Sequence, residues 1–445
     1  MKSTAFFHSF ILSLFILCFS TTALALNPRD KFLYRLNVVN SQAPIDTQTF
    51  LHAVTYVTAG GFTRTVPIAV RKLASAGEKP LPVVVWAHGG GPQSADRDPA
   101  TAMEEWSKAT ARAGYLSVSL LHVTNSITDQ LKLCEAIGYP TVSNPTAVAN
   151  AISTIASAMA SGSSVDLQAI ISQFPDILSV LEDQTQLDDD LENQVISLLT
   201  ESLNACRLTN STWDRPNDIQ AVIDLLHNPN NPFASQIDTK RIAVAGHSNG
   251  TNTVLGSVGL SRTLPNGTRV SIPFPAGHAK RPVAVVALSP QGPNGNGIYD
   301  TTKWKPTVTD SKDHSWVGLT NIPVFTVTGD GDERCKPQRF DCADGDSGST
   351  RTIPFLRMPA GNKYLMYVND QKADEIVSSH EVFGTLLSEC AAQYPQQCED
   401  TRKWLISSVL AFLDAHVLNV KAAKTWLASN KLDRASKNIA HIDKR

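Results

Sequence analysis

Several features that would assign a chain to a class at once are missing from this sequence. It has no long run of like charges, and its 39 Lys and Arg against 41 Asp and Glu give a formal net charge of −2. This balance gives no reason to expect a nucleic acid or an anionic membrane surface as the partner. Internal repeats are missing too, and a composition that is 42% hydrophobic and 18% charged is that of a globular chain.

Closely spaced cysteine pairs and histidine-rich clusters are also missing. Structural zinc sites usually show such spacings, so we expect no metal site. Six cysteines remain after the first 25 residues, an even number that favours disulfides in an oxidising compartment. Sequence proximity favours two short pairs and one long one, although other connectivities are possible. The pairs are Cys335–Cys342, Cys390–Cys398 and Cys134–Cys206.

The N-terminus has the pattern of an export signal. Lys2 is followed by an apolar run over Phe10–Phe19 and then by the small-residue site Ala23-Leu24-Ala25. The run is shorter than the roughly 20 residues that a membrane span needs, so no stable span is expected and an uncleaved anchor is the weaker alternative. We predict a signal peptide over residues 1–25 and a secreted or periplasmic protein.

Short apolar segments rich in β-branched residues alternate with helix-like stretches through most of the chain. This alternation predicts an α/β fold with a mostly parallel central sheet flanked by helices. Runs such as Val83-Val84-Val85-Trp86 are apolar on both faces, as buried parallel strands are. The first two predicted strands form an antiparallel pair. The predicted strands are Leu51–Val57, Val66–Arg71, Pro82–Ala87, Leu116–Leu121, Arg241–Ala245, Val283–Leu288, Val324–Thr328 and Tyr364–Val368.

Residues 125–210 differ from the rest because no strand signal interrupts a series of helical patterns. An insertion of this length between two strands predicts a helical cap, with ordinary crossover helices as the alternative. Residues 26–124 and 211–445 then form the main, catalytic domain. The segment Gln291–Trp316, rich in Gly, Pro, Asn and Asp, predicts a long exposed loop, and the basic tail from Lys421 predicts a solvated terminal helix.

The strongest chemical signal is Gly246-His-Ser248-Asn-Gly250, which follows an apolar strand and opens a small-residue helix over Thr251–Leu260. A G-x-S-x-G motif in this context is typical of a serine nucleophile on a sharp strand-to-helix turn. The glycines on either side remove side chains that would collide with neighbouring backbone. The first helical N–H, that of Asn249, is then available to an oxyanion.

A second signal stands at the end of an earlier strand, in His88-Gly89-Gly90-Gly91-Pro92. Glycines there allow backbone N–H groups to approach a developing negative charge, so Gly89 and Gly90 are predicted to complete an oxyanion hole. The alternative is a flexible surface turn.

The acid and base of a triad follow the nucleophile along the chain in this fold. The strand Val324–Thr328 leads into Gly329-Asp330-Gly-Asp332, where Asp332 is the predicted acid and Asp330 the alternative. His380 follows the last predicted strand and is the predicted general base, with His314 as a weaker rival because it precedes the acid. Turn capping is the ordinary role of such Asp residues. His88 and His247 belong to the two motifs and are expected to support the backbone.

These segments together resemble the dienelactone-hydrolase and platelet-activating-factor-acetylhydrolase branch of the α/β hydrolases. The resemblance rests on His88-Gly-Gly-Gly-Pro92, on the stretches Arg215–Leu226 and Asp238–Gly250, and on the late Asp and His. It covers roughly residues 50 to 420 outside the predicted cap. It implies the α/β-hydrolase fold and a cofactor-free esterase or lipase-like enzyme that forms an acyl-enzyme.

The chain departs from that branch in two respects. The acetylhydrolases take their acid after the strand that here ends Leu288-Ser289-Pro290, where no carboxylate stands, and dienelactone hydrolases use Cys where this chain has Ser248. We therefore expect hydrolysis of a small-molecule or lipid-like carboxylic ester, with neither a metal nor an organic cofactor. An acyltransferase or a peptidase with the same triad, or a non-catalytic binding protein of this fold, are the alternatives.

Overall fold

The computed structural model describes residues 27–90, 98–123, 151, 154, 213–262, 269–290, 314–332, 350–369, 376–386 and 394–445. The predicted signal peptide lies outside these residues, as does the predicted cap except for residues 151 and 154, which are helical. Five of the six cysteines also lie outside them. Cys398 is disulfide-bonded, and the proposed pairings stay predictions.

A large, mostly parallel sheet organises the described part of the chain. Its strands are β1 (Ile45–Val57), β2 (Thr63–Leu73), β3 (Leu81–Ala87), β4 (Leu116–Leu120), β5 (Ile237–His247), β7 (Ala284–Leu288), β9 (Val324–Gly329), β10 (Lys363–Val368) and β11 (Ala440–Lys444), with β6 (Ser261–Arg262) and β8 (His314–Ser315) as a separate small pair. The strands β1 and β2 pair antiparallel, as predicted. The nine strands of the large sheet follow the order β1-β2-β4-β3-β5-β7-β9-β10-β11, and all neighbours from β4 to β10 are parallel.

Helices cover both faces of this sheet. They are α1 (Leu36–Val39), α2 (Glu104–Arg112), α3 (residues 213–227), α4 (Asn249–Val258), α5 (Ile353–Arg357), α6 (His380–Thr385), α7 (Pro395–His416), α8 (Lys421–Leu427) and α9 (Lys431–Ser436). Short 3₁₀ turns stand at Asp30–Phe32, Pro99–Thr101, Ala234–Gln236, Val317–Leu319, Thr350–Thr352 and Ile376–Ser378. The chain is therefore a mixed α/β protein in which helices flank the sheet.

The apolar strand runs explain why the sheet is buried on both faces. In β3, Val83 and Val85 pack with apolar side chains of α3 and α4, whereas Val84 and Trp86 pack on the opposite face with those of α2 and α7. Successive side chains of a strand point to opposite faces, so a strand without polar alternation needs a cover on each. Each such side chain contributes roughly 1.5–3 kcal/mol by burial.

The expectation of a solvated terminal helix from Lys421 is wrong. The strand β11 pairs antiparallel with β10 and ends the sheet, so the tail from Lys421 is not merely a solvated helix. Trp426 and Leu427 of α8 and Leu432 of α9 are buried in the core. The strand is missed because it is short and lies at the edge of the sheet, where one face and one side stay in water.

The prediction of an exposed loop over Gln291–Trp316 is also wrong for its last three residues. His314–Ser315 pairs with Ser261–Arg262, and Trp316 is buried among the side chains that contact α3 and α4. Residues 291–313 lie outside the described residues. The eight predicted strands themselves are all present, with bounds shifted mostly by one to four residues at their ends and by six at the start of β1.

The parallel arrangement brings several loops to one edge of the sheet. Residues 88–90 follow β3, Ser248 follows β5, Ser289 follows β7 and Asp330 follows β9. Because the strands β3, β5, β7 and β9 are parallel neighbours, their carboxyl ends meet at the same edge, which is where ligands usually bind in such sheets.

Candidate active site

Ser248 lies on a sharp turn between a buried strand and a helix. The strand β5 ends at His247, the helix α4 begins at Asn249, and Ser248 between them has φ 52° and ψ −122°. A positive φ is rare and strained for a residue with a side chain. The turn is held in part because the Ser248 N–H donates a hydrogen bond of 3.0 Å to the carbonyl of Leu288. The backbone of Ser248 therefore differs from both the strand before it and the helix after it.

The glycines beside Ser248 are required by close approaches of backbone to backbone. A Cβ on Gly246 would stand 2.3 Å from the carbonyl oxygen of Gly250, and one on Gly250 would stand 2.3 Å from that of Ala87. Real Cβ atoms do not approach a carbonyl so closely. Both positions therefore exclude every other residue type unless the strand or the helix moves.

Ser248 and His380 line one cleft at the carboxyl edge of the sheet. The cleft has a volume of about 640 Å³ and is also lined by Gly89, Gly90 and the start of α2. The Ser248 hydroxyl makes no hydrogen bond to any residue that the structure describes, and neither does Nε2 of His380. Hydrogen bonds of this kind often form only when a substrate is bound.

Gly89 and Gly90 lie next to the serine. A Cβ on Gly89 would stand 3.3 Å from Cβ of Ser248, and one on Gly90 would stand 3.9 Å from Cβ of Asn249. Within the described ranges, neither glycine N–H donates a hydrogen bond. Both donors and the first residue of α4 thus surround the serine, as an oxyanion hole requires, whereas Gly91 lies outside the described residues.

Asp332 is fully buried and contacts the predicted base. Its Oδ1 lies 3.1 Å from Nδ1 of His380, and its Oδ2 accepts a hydrogen bond of 2.8 Å from the Thr328 hydroxyl. Arg351 adds an ion pair, with its Nε 2.8 Å from Oδ1. The Arg351 guanidinium balances the charge of this carboxylate, and the Thr328 hydroxyl fixes its orientation.

His380 is the first residue of the short helix α6, not part of a loop as expected. Its Nδ1 faces two oxygens, that of Asp332 and the Ser289 hydroxyl at 2.5 Å. An ionised carboxylate can only accept, so Nδ1 carries the proton and Nε2 keeps its lone pair. The ring is therefore in the tautomer in which Nε2 can act as a base.

Asp330, the alternative acid, has a different partner. Its Oδ1 accepts a hydrogen bond of 2.6 Å from the Tyr367 hydroxyl, and no contact with the His380 ring is present in the described part of the chain. The rival base His314 stands in β8, in the small second sheet. The structure thus brings Asp332, and not Asp330 or His314, together with His380.

His247 packs against His380 and binds its backbone. Its Nε2 donates a hydrogen bond of 2.9 Å to the His380 carbonyl, and the two ring centroids lie 4.5 Å apart. Burial and the neighbouring His380 lower the pKa of His247 to about 3, so the ring is neutral. A Cβ on Gly384 would stand 2.6 Å from this ring, so α6 packs directly on it.

His88 holds the glycine loop in a similar way. Its Nε2 accepts the His122 N–H at 3.0 Å, which leaves Nδ1 to donate to the Gly89 carbonyl at 2.8 Å. Burial, and then the nearby Arg215 guanidinium, hold its pKa well below the usual range. His88 is therefore a neutral support of the backbone.

Sequence reasoning misses two residues that touch the site. Ser289 has a usable signal, because it directly follows a parallel strand at the carboxyl edge, and its φ of 50° marks a second strained turn. Arg351 stands in no motif and reaches Asp332 only through the fold, while its Nη1 donates to the carbonyls of Ser289 and Pro290.

Comparison with known proteins adds no relative: no family model matches the chain, and no curated protein matches it. Among the described residues there is no group of three or more His, Cys, Asp or Glu side chains that could hold a metal ion. The same residues include no helix that is both long and apolar enough to cross a membrane.

Proposed function

We propose that this chain is a serine hydrolase of the α/β-hydrolase fold that cleaves carboxylic esters through an acyl-enzyme on Ser248. The observation that carries the proposal is the strained strand-to-helix turn of Ser248, in the same cleft as a histidine whose Nδ1 faces a buried carboxylate. The order Ser248, Asp332, His380 along the chain is the one that this fold uses.

In the first half of the reaction, the Ser248 oxygen attacks the ester carbonyl carbon while its proton moves to Nε2 of His380. The carbonyl oxygen becomes an oxyanion that accepts hydrogen bonds from the N–H groups of Gly90 and Asn249, with Gly89 as a further donor. The tetrahedral intermediate then breaks the bond to the alcohol oxygen, which takes the proton from Nε2. The acyl group stays on Ser248.

In the second half, a water molecule replaces the alcohol. His380 takes a proton from the water as its oxygen attacks the acyl carbon, and then returns that proton to the Ser248 oxygen as the acid leaves. Asp332 keeps the imidazole in the required tautomer and stabilises the imidazolium. Each acidic or basic step uses a side chain of this chain, so the reaction needs no metal or organic cofactor.

The substrate is proposed to be a small-molecule or lipid-like ester. The cleft of about 640 Å³ suits one ligand of that size, and its lining combines polar groups at the serine with apolar side chains such as Met103 and Leu121. We also propose export of the chain, on the N-terminal signal pattern alone.

The experiment is labelling with a fluorophosphonate probe together with hydrolysis of p-nitrophenyl esters from acetate to palmitate. The wild type is compared with Ser248→Ala and with Ser257→Ala as a matched control. Ser257 is a buried serine of the same helix α4, and its hydroxyl donates only to the Val254 carbonyl.

We expect the wild type and Ser257→Ala to hydrolyse an ester and to take up the probe, and Ser248→Ala to do neither. Equal activity in the wild type and in Ser248→Ala would remove Ser248 as the nucleophile. Absence of both labelling and hydrolysis in the wild type would contradict the proposed function as a whole.

A further inference from the structure

One buried arginine contacts the back of the glycine loop. Arg215 belongs to α3, and its Nη2 donates to the carbonyl of His88 at 2.9 Å and to that of Gly89 at 3.0 Å. Its residue exposure is 6%, so little bulk water can reach the guanidinium to replace these bonds. We call residues 88–90 the oxyanion loop. Two successive carbonyls of this loop thus face one cation.

Because the peptide bond is planar, binding of the two carbonyls also fixes the direction of two N–H donors. In a planar trans peptide the N–H points opposite to the C=O of the same unit. The His88 carbonyl and the Gly89 N–H share one unit, and the Gly89 carbonyl and the Gly90 N–H share the next; no cis peptide bond occurs in the described chain. With both carbonyls directed at Arg215, both N–H groups point to the other side.

Ser248 stands next to these two peptide units. Gly89 approaches Cβ of Ser248, both loop glycines line the cleft, and neither glycine N–H makes a hydrogen bond within the described ranges. Gly89 is half-buried and Gly90 is exposed, so both N–H groups are open to the cleft and available to a ligand.

A second buried network stands beside Arg215, and its hydrogen bond to the loop comes from the backbone N–H of His122. Asp218, one turn further along α3, binds Arg64 through an ion pair of 2.6 Å and accepts the Nδ1–H of His122 at 2.8 Å. The backbone N–H of His122 in turn donates to His88. Burial lowers the pKa of Arg215, to about 9, which leaves the guanidinium charged at neutral pH.

We propose that Arg215 is the positioning residue of the oxyanion hole: by binding the carbonyls of His88 and Gly89 it holds the N–H groups of Gly89 and Gly90 toward Ser248. The cation also polarises both peptide units, so their N–H groups become stronger donors to a developing negative charge. Without the guanidinium, either peptide unit is free to turn its carbonyl toward the cleft, where it repels the oxyanion. This inference rests on the proposed function.

The test measures kcat, KM and inhibition by a trifluoromethyl ketone, which forms a tetrahedral adduct with the serine, for wild type, Arg215→Lys and Arg215→Met. An oxyanion is present in the adduct and in the transition state but not in the bound ester. We expect kcat of Arg215→Met to fall about 100-fold to 1000-fold, the usual effect of losing one such donor, with KM nearly unchanged. The Ki of the ketone should rise by the same factor, and Arg215→Lys should be intermediate.

The matched control is Arg64→Lys, the same chemical change at a neighbouring buried arginine that binds Asp218 and the Val123 carbonyl and contacts no carbonyl of the oxyanion loop. We expect it to lower the melting temperature while kcat, corrected for active sites by titration, and the Ki of the ketone stay near wild type. The pH profile of kcat/KM should keep its shape in all variants, because His380 is untouched. If Arg215→Met does not fold, Arg215→Lys against Arg64→Lys is the test.

The outcomes separate this inference from the proposed function. An active wild type whose Arg215 variants keep both kcat and ketone affinity overturns the inference alone. A fall in kcat with unchanged ketone affinity also overturns it, since the oxyanion is then bound as before. A wild type that neither hydrolyses esters nor binds the ketone overturns the proposed function, and the inference with it.

Discussion

Replacement of Asp332 by asparagine separates the two roles that the structure gives this carboxylate. Its Oδ1 lies 3.1 Å from Nδ1 of His380 and 2.8 Å from Nε of Arg351, so the same atom orients the proposed base and balances a cation. Asp332→Asn keeps the volume and removes the charge. We expect a loss of activity and a loss of stability with different origins.

The loss of activity follows from the tautomer. An asparagine amide can present an N–H to Nδ1, which moves the proton to Nε2 and removes the base. In a known serine-protease triad the same change lowers kcat about 10⁴-fold. The Ser289 hydroxyl at 2.5 Å from Nδ1 can still accept from the imidazole, so the fall here should be up to about 10⁴-fold and remain above about 100-fold.

The loss of stability follows from the arginine. Asp332 is fully buried and Arg351 is 9% exposed, and removal of one partner of a buried ion pair costs about 3–5 kcal/mol. The double variant Asp332→Asn with Arg351→Met removes the cation as well. It should recover part of the free energy of unfolding while its kcat stays low, because the tautomer is still wrong.

The assay is urea denaturation alongside p-nitrophenyl ester kinetics for the single, double and control variants. Asp330→Asn is the control, since Asp330 follows the same strand but accepts from Tyr367 and does not contact the base. Its kcat should stay within a few-fold of wild type. A low kcat in Asp330→Asn with a normal one in Asp332→Asn would refute the assignment of the acid.

Three further outcomes follow from the same geometry. Gly250→Ala should lower the free energy of unfolding, measured by urea denaturation, by about 3 kcal/mol or more, because the new Cβ meets the Ala87 carbonyl at 2.3 Å. Gly256→Ala, whose Cβ meets a proline ring at 3.4 Å, should instead stabilise α4 by about 0.5–1 kcal/mol. Equal effects of the two substitutions would contradict the clash at Gly250. Burial lowers the pKa of His122 from 6.5 to about 3, so the unfolded chain binds a proton at this residue that the native chain does not. The contribution of His122 to the free energy of unfolding should therefore fall by about 1.4 kcal/mol per pH unit as pH drops from 6.5 toward 3, in addition to that of other buried histidines such as His247. His122→Gln should reduce the slope by this amount, and an unchanged slope would refute it. Ser289→Ala should lower kcat about tenfold without a change in fold, and an unchanged kcat would mean that Asp332 alone orients the base.

The fold class follows from local sequence because its signals are local. Apolar runs such as Val83–Trp86 predict buried parallel strands without any knowledge of their neighbours, and the eight predicted strands all occur. The strand β11 is the exception. Its five residues form a strand only because β10 provides an edge to pair with, and no pattern within Ala440–Lys444 indicates that partner.

The site divides in the same way. The sequence by itself determined the turn of Ser248, since a buried strand, two glycines and a small-residue helix specify that geometry within a dozen residues. The sequence favoured Asp332 over Asp330, but only the tertiary structure brings one of these two carboxylates to Nδ1 of His380. The tertiary structure also decided the roles of Arg215 and Arg351, which reach the oxyanion loop and the acid from distant segments of the chain. Such contacts depend on how helices pack on the sheet, and a chain's local pattern does not encode that packing.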